Sequence, residues 1–230
     1  MNGHDEARAT QTAGTSPLRH PGLRLGTLAL LIALVLALLA QHLRDNIAAQ
    51  QQAVERAALA AVLPPTNHDN DLLADRFMLD PAAPHFIDQE LLGLRQARAG
   101  YIARRDGRTS GVILPFETAE GFNGPIVMLV GLDREGVITG VRVTEHRETP
   151  DMGGQIELDR SRWILSFDNR SLDNTDPVLW RVKRDGGEFD QFVGATITPR
   201  AVVNAVQRAL QFFARNREAL LALPAPEVSP

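Results

Sequence analysis

The sequence predicts an α+β fold, an antiparallel sheet with packed helices, preceded by one N-terminal transmembrane helix. Three observations predict it. An uncharged apolar run lies close to the N-terminus. The middle of the chain carries segments of strand-like apolar patterning joined by Gly-containing turns. The last long stretch has apolar residues recurring every three or four positions, the period of a helix with one buried face. Hairpins followed by a terminal helix call for an antiparallel sheet.

The 230 residues give room for one medium domain with extensions. A hydrophobic share of 44% supports an ordinary core. A net charge of −4 argues against nucleic acid as a main partner, since that role favours a basic face. Cysteine is absent, which excludes disulfides, Cys-ligated zinc and Cys-ligated iron–sulfur clusters within the chain. A redox role would therefore need a non-metal cofactor or a partner. The lack of cysteine also fits an oxidising compartment.

Residues 1–20 are polar and rich in Gly, Thr, Ser and Pro, a composition that favours disorder. The run LGTLALLIALVLALLA, residues 25–40, follows. It is about 16 residues long and reaches about 19 with Gln41, His42 and Leu43, roughly 28 Å of helix. Arg24 and Arg44 bracket it and can reach the interfaces. Arg8, Arg19 and Arg24 precede the run, while Arg44 and Arg56 follow it. That bias puts the N-terminus in the cytoplasm and the C-terminal part outside, in the periplasm of a bacterium. A cleaved signal peptide is the rival reading, with ALLA as the cleavage site. The length of the run and the bulky polar residues after Ala40 favour a retained single-pass anchor.

Residues 44–63 are rich in Ala, Gln, Leu and Arg and extend the helix outward until Pro64 and Pro65 stop it. The stretch YIARRDGRTSGVILPF reads as two strands around a turn at Asp106 and Gly107, and Gly124–Asp133 as a buried strand. After the turn REG, residues 137–146 alternate at the strand period. A further hairpin is expected across Asp185, Gly186 and Gly187. Helices are expected at 155–159 and 199–217. The closing LPAPEVSP is a Pro-rich tail with no packing face. The expected organisation is a cytoplasmic tail at 1–22, a transmembrane helix at 23–43, a helical linker at 44–75, a periplasmic domain at 76–217 and a C-terminal tail at 218–230.

In the closing helix Thr198 is the expected N-cap and Pro199 the first helical residue. Val202, Val203, Val206, Ala209, Leu210 and Phe213 form its apolar face, with Arg200, Gln207 and Arg208 toward water. Just before it stand Gly194, Ala195 and Thr196. A helix N-terminus attracts phosphate, Gly194 permits close backbone approach, and Ala195 leaves room beside the Thr196 hydroxyl. On the residues alone two readings stand open: a plain turn, or a phosphate site in which the phosphate is either free or bonded to the threonine oxygen.

The stretch DQFVGATITPRAVVNAV resembles the flavinylation motif of the FMN-binding domain family, and within it the G subunit of the Rnf electron-transport complex. That subunit is similar to the C subunit of the sodium-pumping NADH:quinone reductase. EHRETPDMGGQIE resembles the family's flavin-loop motif, and GFNGPIVMLVGLD and WRVKRDGGEFDQF match in the same order. The likeness covers most of residues 25–215. It implies covalent FMN, joined through its phosphate to the Thr196 hydroxyl on a turn with Gly194 and Ala195. Glu148, Thr149 and Gly153 would belong to the flavin loop. Asp190 would belong to the recognition motif of a separate flavin transferase that uses FAD. The implied role is electron transfer in an inner-membrane complex that couples electron flow between NADH and ferredoxin to ion translocation, with the other subunits as partners.

Val193 stands where the family has Ser or Thr, and Asp151 and Met152 where Gly-Leu is usual. Outside that family, the same residues would fit an anchored flavin- or partner-binding module of another reductase or regulator, or a non-redox anion-binding module. Asn67 to Asp71 lack the spacing of a calcium loop and read as a solvated turn or helix cap. His146 reads as a strand-end polar residue.

Overall fold

The computed structural model describes residues 21–226, and within the first helix the side chains of 26–41, of 50 and from 52 onward. The tail expected at residues 1–20 lies outside them. Helix α1 spans Pro21–Val62. Among the described residues no helix is long and apolar enough to cross a membrane, and both ends of the expected span fall outside the described side chains. Two compact units divide the chain at Gln50.

In the second unit, strands β1 (Arg76–Leu79), β2 (Arg98–Arg105), β3 (Arg108–Gly121), β4 (Gly124–Asp133) and β5 (Ile138–Glu145) form one antiparallel sheet in sequence order. Local chemistry sets the turns. Asp106 and Gly107 lie at φ +51 and +71, the paired left-handed conformation that closes a two-residue hairpin. Asp133 Oδ1 accepts the N–H groups of Glu135 and Val137 at 3.0 and 2.8 Å, which fixes the β4–β5 turn.

Strand β3 is buried almost throughout because both faces of the sheet are covered. Helix α2 (Ile197–Leu221) packs on one face over Val112, Leu114, Phe116, Met128 and Val130. On the other face Leu59, Val62 and Leu63 meet Tyr101, Ala103 and Ile113. Tyr101 O–H donates to Glu55 Oε1 on α1.

Five expectations are corrected. The 155–159 helix is a 3-10 turn at Gly153–Ile156, where consecutive glycines give little helix propensity. No hairpin forms at 185–187: a 3-10 turn at Lys183–Asp185 brings Val182 and Phe189 together as a parallel bridge. Helix α2 starts two residues earlier than expected and runs to Leu221, with Thr196 as its N-cap and Pro199 inside its first turn. The tail does begin with a packed residue, since Leu223 lies against the core and Arg104 Nη2 donates to its carbonyl at 2.9 Å. Asn67 to Asp71 are more than a solvated turn: Asn70 Nδ2 donates to Asp75 and to the Ile102 carbonyl, and its Oδ1 accepts the Arg104 N–H.

Candidate functional site

The turn before α2 is built by the residues that open it. Phe192 and Ala195 form an antiparallel bridge closed by the Ala195 N–H donating to the Phe192 carbonyl at 3.1 Å. Gly194, at φ +78, makes the reversal, a conformation costly for residues with a Cβ. Helix α2 then begins at Ile197. The Thr196 carbonyl accepts the Arg200 N–H at 3.3 Å, while its side chain makes no capping hydrogen bond. The N–H groups of Ile197 and Thr198 belong to the first turn, where no intrahelical acceptor exists, and Pro199 has none to offer. The positive end of the helix dipole therefore lies beside Thr196.

Facing this turn is the loop after β5. Its pivot is Glu148, which is 5% exposed. Glu148 Oε1 accepts the Asn123 N–H at 2.8 Å from the tip of the β3–β4 hairpin, and Oε2 accepts the Thr198 hydroxyl from α2. One carboxylate thus joins hairpin, loop and helix. Gly153 makes room for it: a Cβ there would collide with Glu148 and lie 2.7 Å from Thr198 Oγ1. Thr149 Oγ1 accepts from Asn123 Nδ2 at 3.3 Å, and the Thr149 carbonyl accepts the Met152 and Gly154 N–H groups at 3.1 and 2.8 Å.

His146 supports the loop from beneath. Its Nδ1 accepts the Glu148 N–H at 2.9 Å, which leaves the ring proton on Nε2 to donate to Glu157 Oε1 at 2.8 Å. That bond, with the Arg160 guanidinium 2.5 Å from Oε2, holds the Glu157 carboxyl below the usual range. His146 is therefore a buttress as well as a strand-end residue.

Between loop and turn lies a small cleft, partly open to solvent. Six of the seven expected site residues line it: Gly194, Ala195 and Thr196 on one side, Glu148, Thr149 and Gly153 on the other. Phe122, Met152 and Ile197 give it an apolar rim and are 69%, 43% and 46% exposed. Asp190 stands apart on the surface, paired with Lys183 at 2.6 Å. Val193 projects at the apex, 98% exposed.

Thr198 and Asn123, the donors that fix Glu148, are not recognisable as site residues from sequence. Asn123 sits in the turn GFNG, where Asn and Gly mark a loop tip, and that is the available signal. No sequence signal ties Thr198 to Glu148, because the two are 50 residues apart.

The FMN-binding domain family matches residues 121–211, from the end of β3 into α2 and across the whole cleft. The G subunit of the ion-translocating oxidoreductase complex of Pseudomonas aeruginosa (strain UCBPP-PA14) is 45% identical over 200 residues, 87% of this chain and 90% of that protein. The protein of the same name from Vibrio atlanticus (strain LGP32) is 41% identical over 181 residues, 79% and 83% of the two chains. That of Shewanella loihica (strain ATCC BAA-1088 / PV-4) is 37% identical over 201 residues, 87% and 92%.

Proposed function

The chain belongs to the family of the ion-translocating oxidoreductase complex's G subunit, and on that premise we propose that it is an electron-transfer protein carrying FMN covalently on Thr196. One N-terminal span holds it in the bacterial inner membrane with residues 76–217 in the periplasm. Its partners are the other subunits of such a complex. The electron flow it serves, between NADH and ferredoxin, is coupled to ion movement.

The observation that carries the reading is the contrast between two neighbouring hydroxyls. Thr198 is 1% exposed and gives its proton to Glu148. Thr196 lines the cleft with its side chain outside any capping bond. A phosphate on Thr196 Oγ would meet the free N–H groups and dipole of the α2 N-terminus. Gly194 and Ala195 present no large side chain beside it. The apolar rim of Phe122, Met152 and Ile197 suits a flat ring system.

Attachment needs a separate flavin transferase. Thr196 Oγ attacks the flavin-side phosphorus of FAD and the P–O–P bond breaks. The hydroxyl proton passes to a base of the transferase, AMP leaves, and the Thr196 Oγ–P ester remains. FMN supplies one- and two-electron transfer once bound. The chain's own part is to retain it at fixed local concentration, since an ester does not dissociate. It also shields one side of the site with Glu148, Thr149 and Gly153.

The test uses protein from cells that contain the transferase. Wild type is expected to show a fluorescent band on denaturing gels and a mass increase equal to FMN less water. Thr196→Ala is expected to lose both, and Thr198→Ala to keep both. An unmodified wild-type chain overturns the reading. A flavin lost only in Thr198→Ala would move the attachment to the other hydroxyl.

A further inference from the structure

Trp163 lies outside the site as the sequence defines it, yet its side chain reaches the segment that leads to Thr196. Its backbone is fixed first: Ser161 Oγ accepts the Trp163 N–H at 3.1 Å and caps the 3-10 turn Arg162–Phe167. The indole is 9% exposed. It meets Phe167 and Phe192 edge-on, with ring centroids 5.3 and 5.2 Å apart. Its Nε1–H donates to the Asp190 carbonyl at 2.8 Å. One side chain thus grips residues 190 and 192. The Phe192 carbonyl passes that grip to Ala195 through the bond that closes the turn.

The other polar ties of this segment are at the surface. The Lys183–Asp190 pair joins side chains 57% and 70% exposed, and the Arg184 N–H reaches Gln191 Oε1 at 3.3 Å. Exposed pairs contribute little, whereas a buried hydrogen bond with two edge-to-face ring contacts fixes geometry.

We infer that Trp163 is a positioning residue for flavin attachment: its indole holds residues 190–195 in the shape that presents the Thr196 hydroxyl to the flavin transferase. The inference rests on the reading that Thr196 is the attachment residue, and adds the group through which that residue is held.

The test loads apo-protein, made in cells without the transferase, using purified transferase and FAD. Trp163→Phe keeps an aromatic ring and removes the N–H. Trp180→Phe makes the same change in the same aromatic cluster, where the Trp180 Nε1–H has no partner. Loss of one neutral hydrogen bond corresponds to about three- to ten-fold in an equilibrium. Trp163→Phe is expected to lower kcat/KM for the apo-protein by about that factor, and to speed amide exchange at residues 191–195 similarly. Trp180→Phe is expected to do neither. Equal loading by Trp163→Phe and wild type, or equal losses in both variants, would overturn the inference. A wild-type chain that takes no flavin in this assay defeats the attachment reading and this inference together, so the two failures are told apart.

Discussion

Glu148 is a buried carboxylate with both oxygens used, one by the Asn123 N–H and one by the Thr198 hydroxyl. Its value lies in what its removal leaves behind. Truncation strands two donors in a closed site, and a hydrogen bond to a charged group is worth about 1.5–3 kcal/mol. Glu148→Ala is therefore expected to lower stability by about 3 kcal/mol, and Glu148→Gln, which keeps one acceptor, by about half of that. Urea unfolding at neutral pH measures both. Equal, small losses would show that Glu148 does not hold the loop to the helix. The same geometry gives Gly153 a steric role: its missing Cβ is what admits the Glu148–Thr198 bond.

At the scale of elements, the C-terminal end of α2 is fixed by a buried cluster under β2 and β3. Arg104 Nε donates to Asp75 Oδ2 at 2.6 Å, and both side chains are under 10% exposed. Arg104 Nη1 reaches Thr109 Oγ1, whose hydroxyl donates to the Leu221 carbonyl at 3.0 Å, and Nη2 binds the Leu223 carbonyl. These bonds satisfy carbonyls that a helix end leaves without partners, and they place positive charge at the negative end of its dipole. Arg104→Ala leaves the Asp75 carboxylate buried without its counter-charge, only the Asn70 amide still donating to it, which costs about 3–5 kcal/mol. The expected outcome is a fall of that size in unfolding free energy; a change under about 1 kcal/mol would mean solvent replaces the guanidinium freely. The sequence shows neither this cluster nor the short edge strand β1. Strands β2 and β3 were legible around the Asp106–Gly107 turn, β4 as a buried apolar run and β5 from alternation, because those signals are local. The region from 146 to 196 was not, because its 3-10 turns are held by rings distant in sequence, such as Phe167 stacked on Phe189 with centroids 4.7 Å apart. The start of α2 was misread for a similar reason: the Thr198 hydroxyl, the expected cap, is turned to a carboxylate far back in the chain. Of the candidate site, the turn and the loop were legible through resemblance; Asn123 carried only a loop-tip signal, and its bond to Glu148, like Trp163's part, enters through tertiary contacts.

For the whole molecule, the question is how much of α1 belongs to the folded domain. The compact second unit begins at Gln51, inside the helix rather than at its end. Leu59, Val62 and Leu63 are at most 1% exposed and cover the face of the sheet that α2 does not reach. Glycines make the fit possible: Cβ atoms on Gly131 and Gly140 would collide with the backbone of Val62. The Val62 carbonyl accepts the Thr139 hydroxyl at 2.5 Å. Burying three such side chains contributes about 5–9 kcal/mol at about 1.5–3 kcal/mol each, as much as the whole stability of many domains. A fragment of residues 51–230 is therefore expected to fold cooperatively and to remain a flavin acceptor. A fragment of residues 66–230, which lacks all three, is expected to expose Tyr101, Ala103 and Ile113 and to self-associate or remain unfolded. Circular dichroism melts and gel filtration of the two fragments decide it. A monomeric, cooperatively melting 66–230 fragment would show that the sheet holds its second face without the helix.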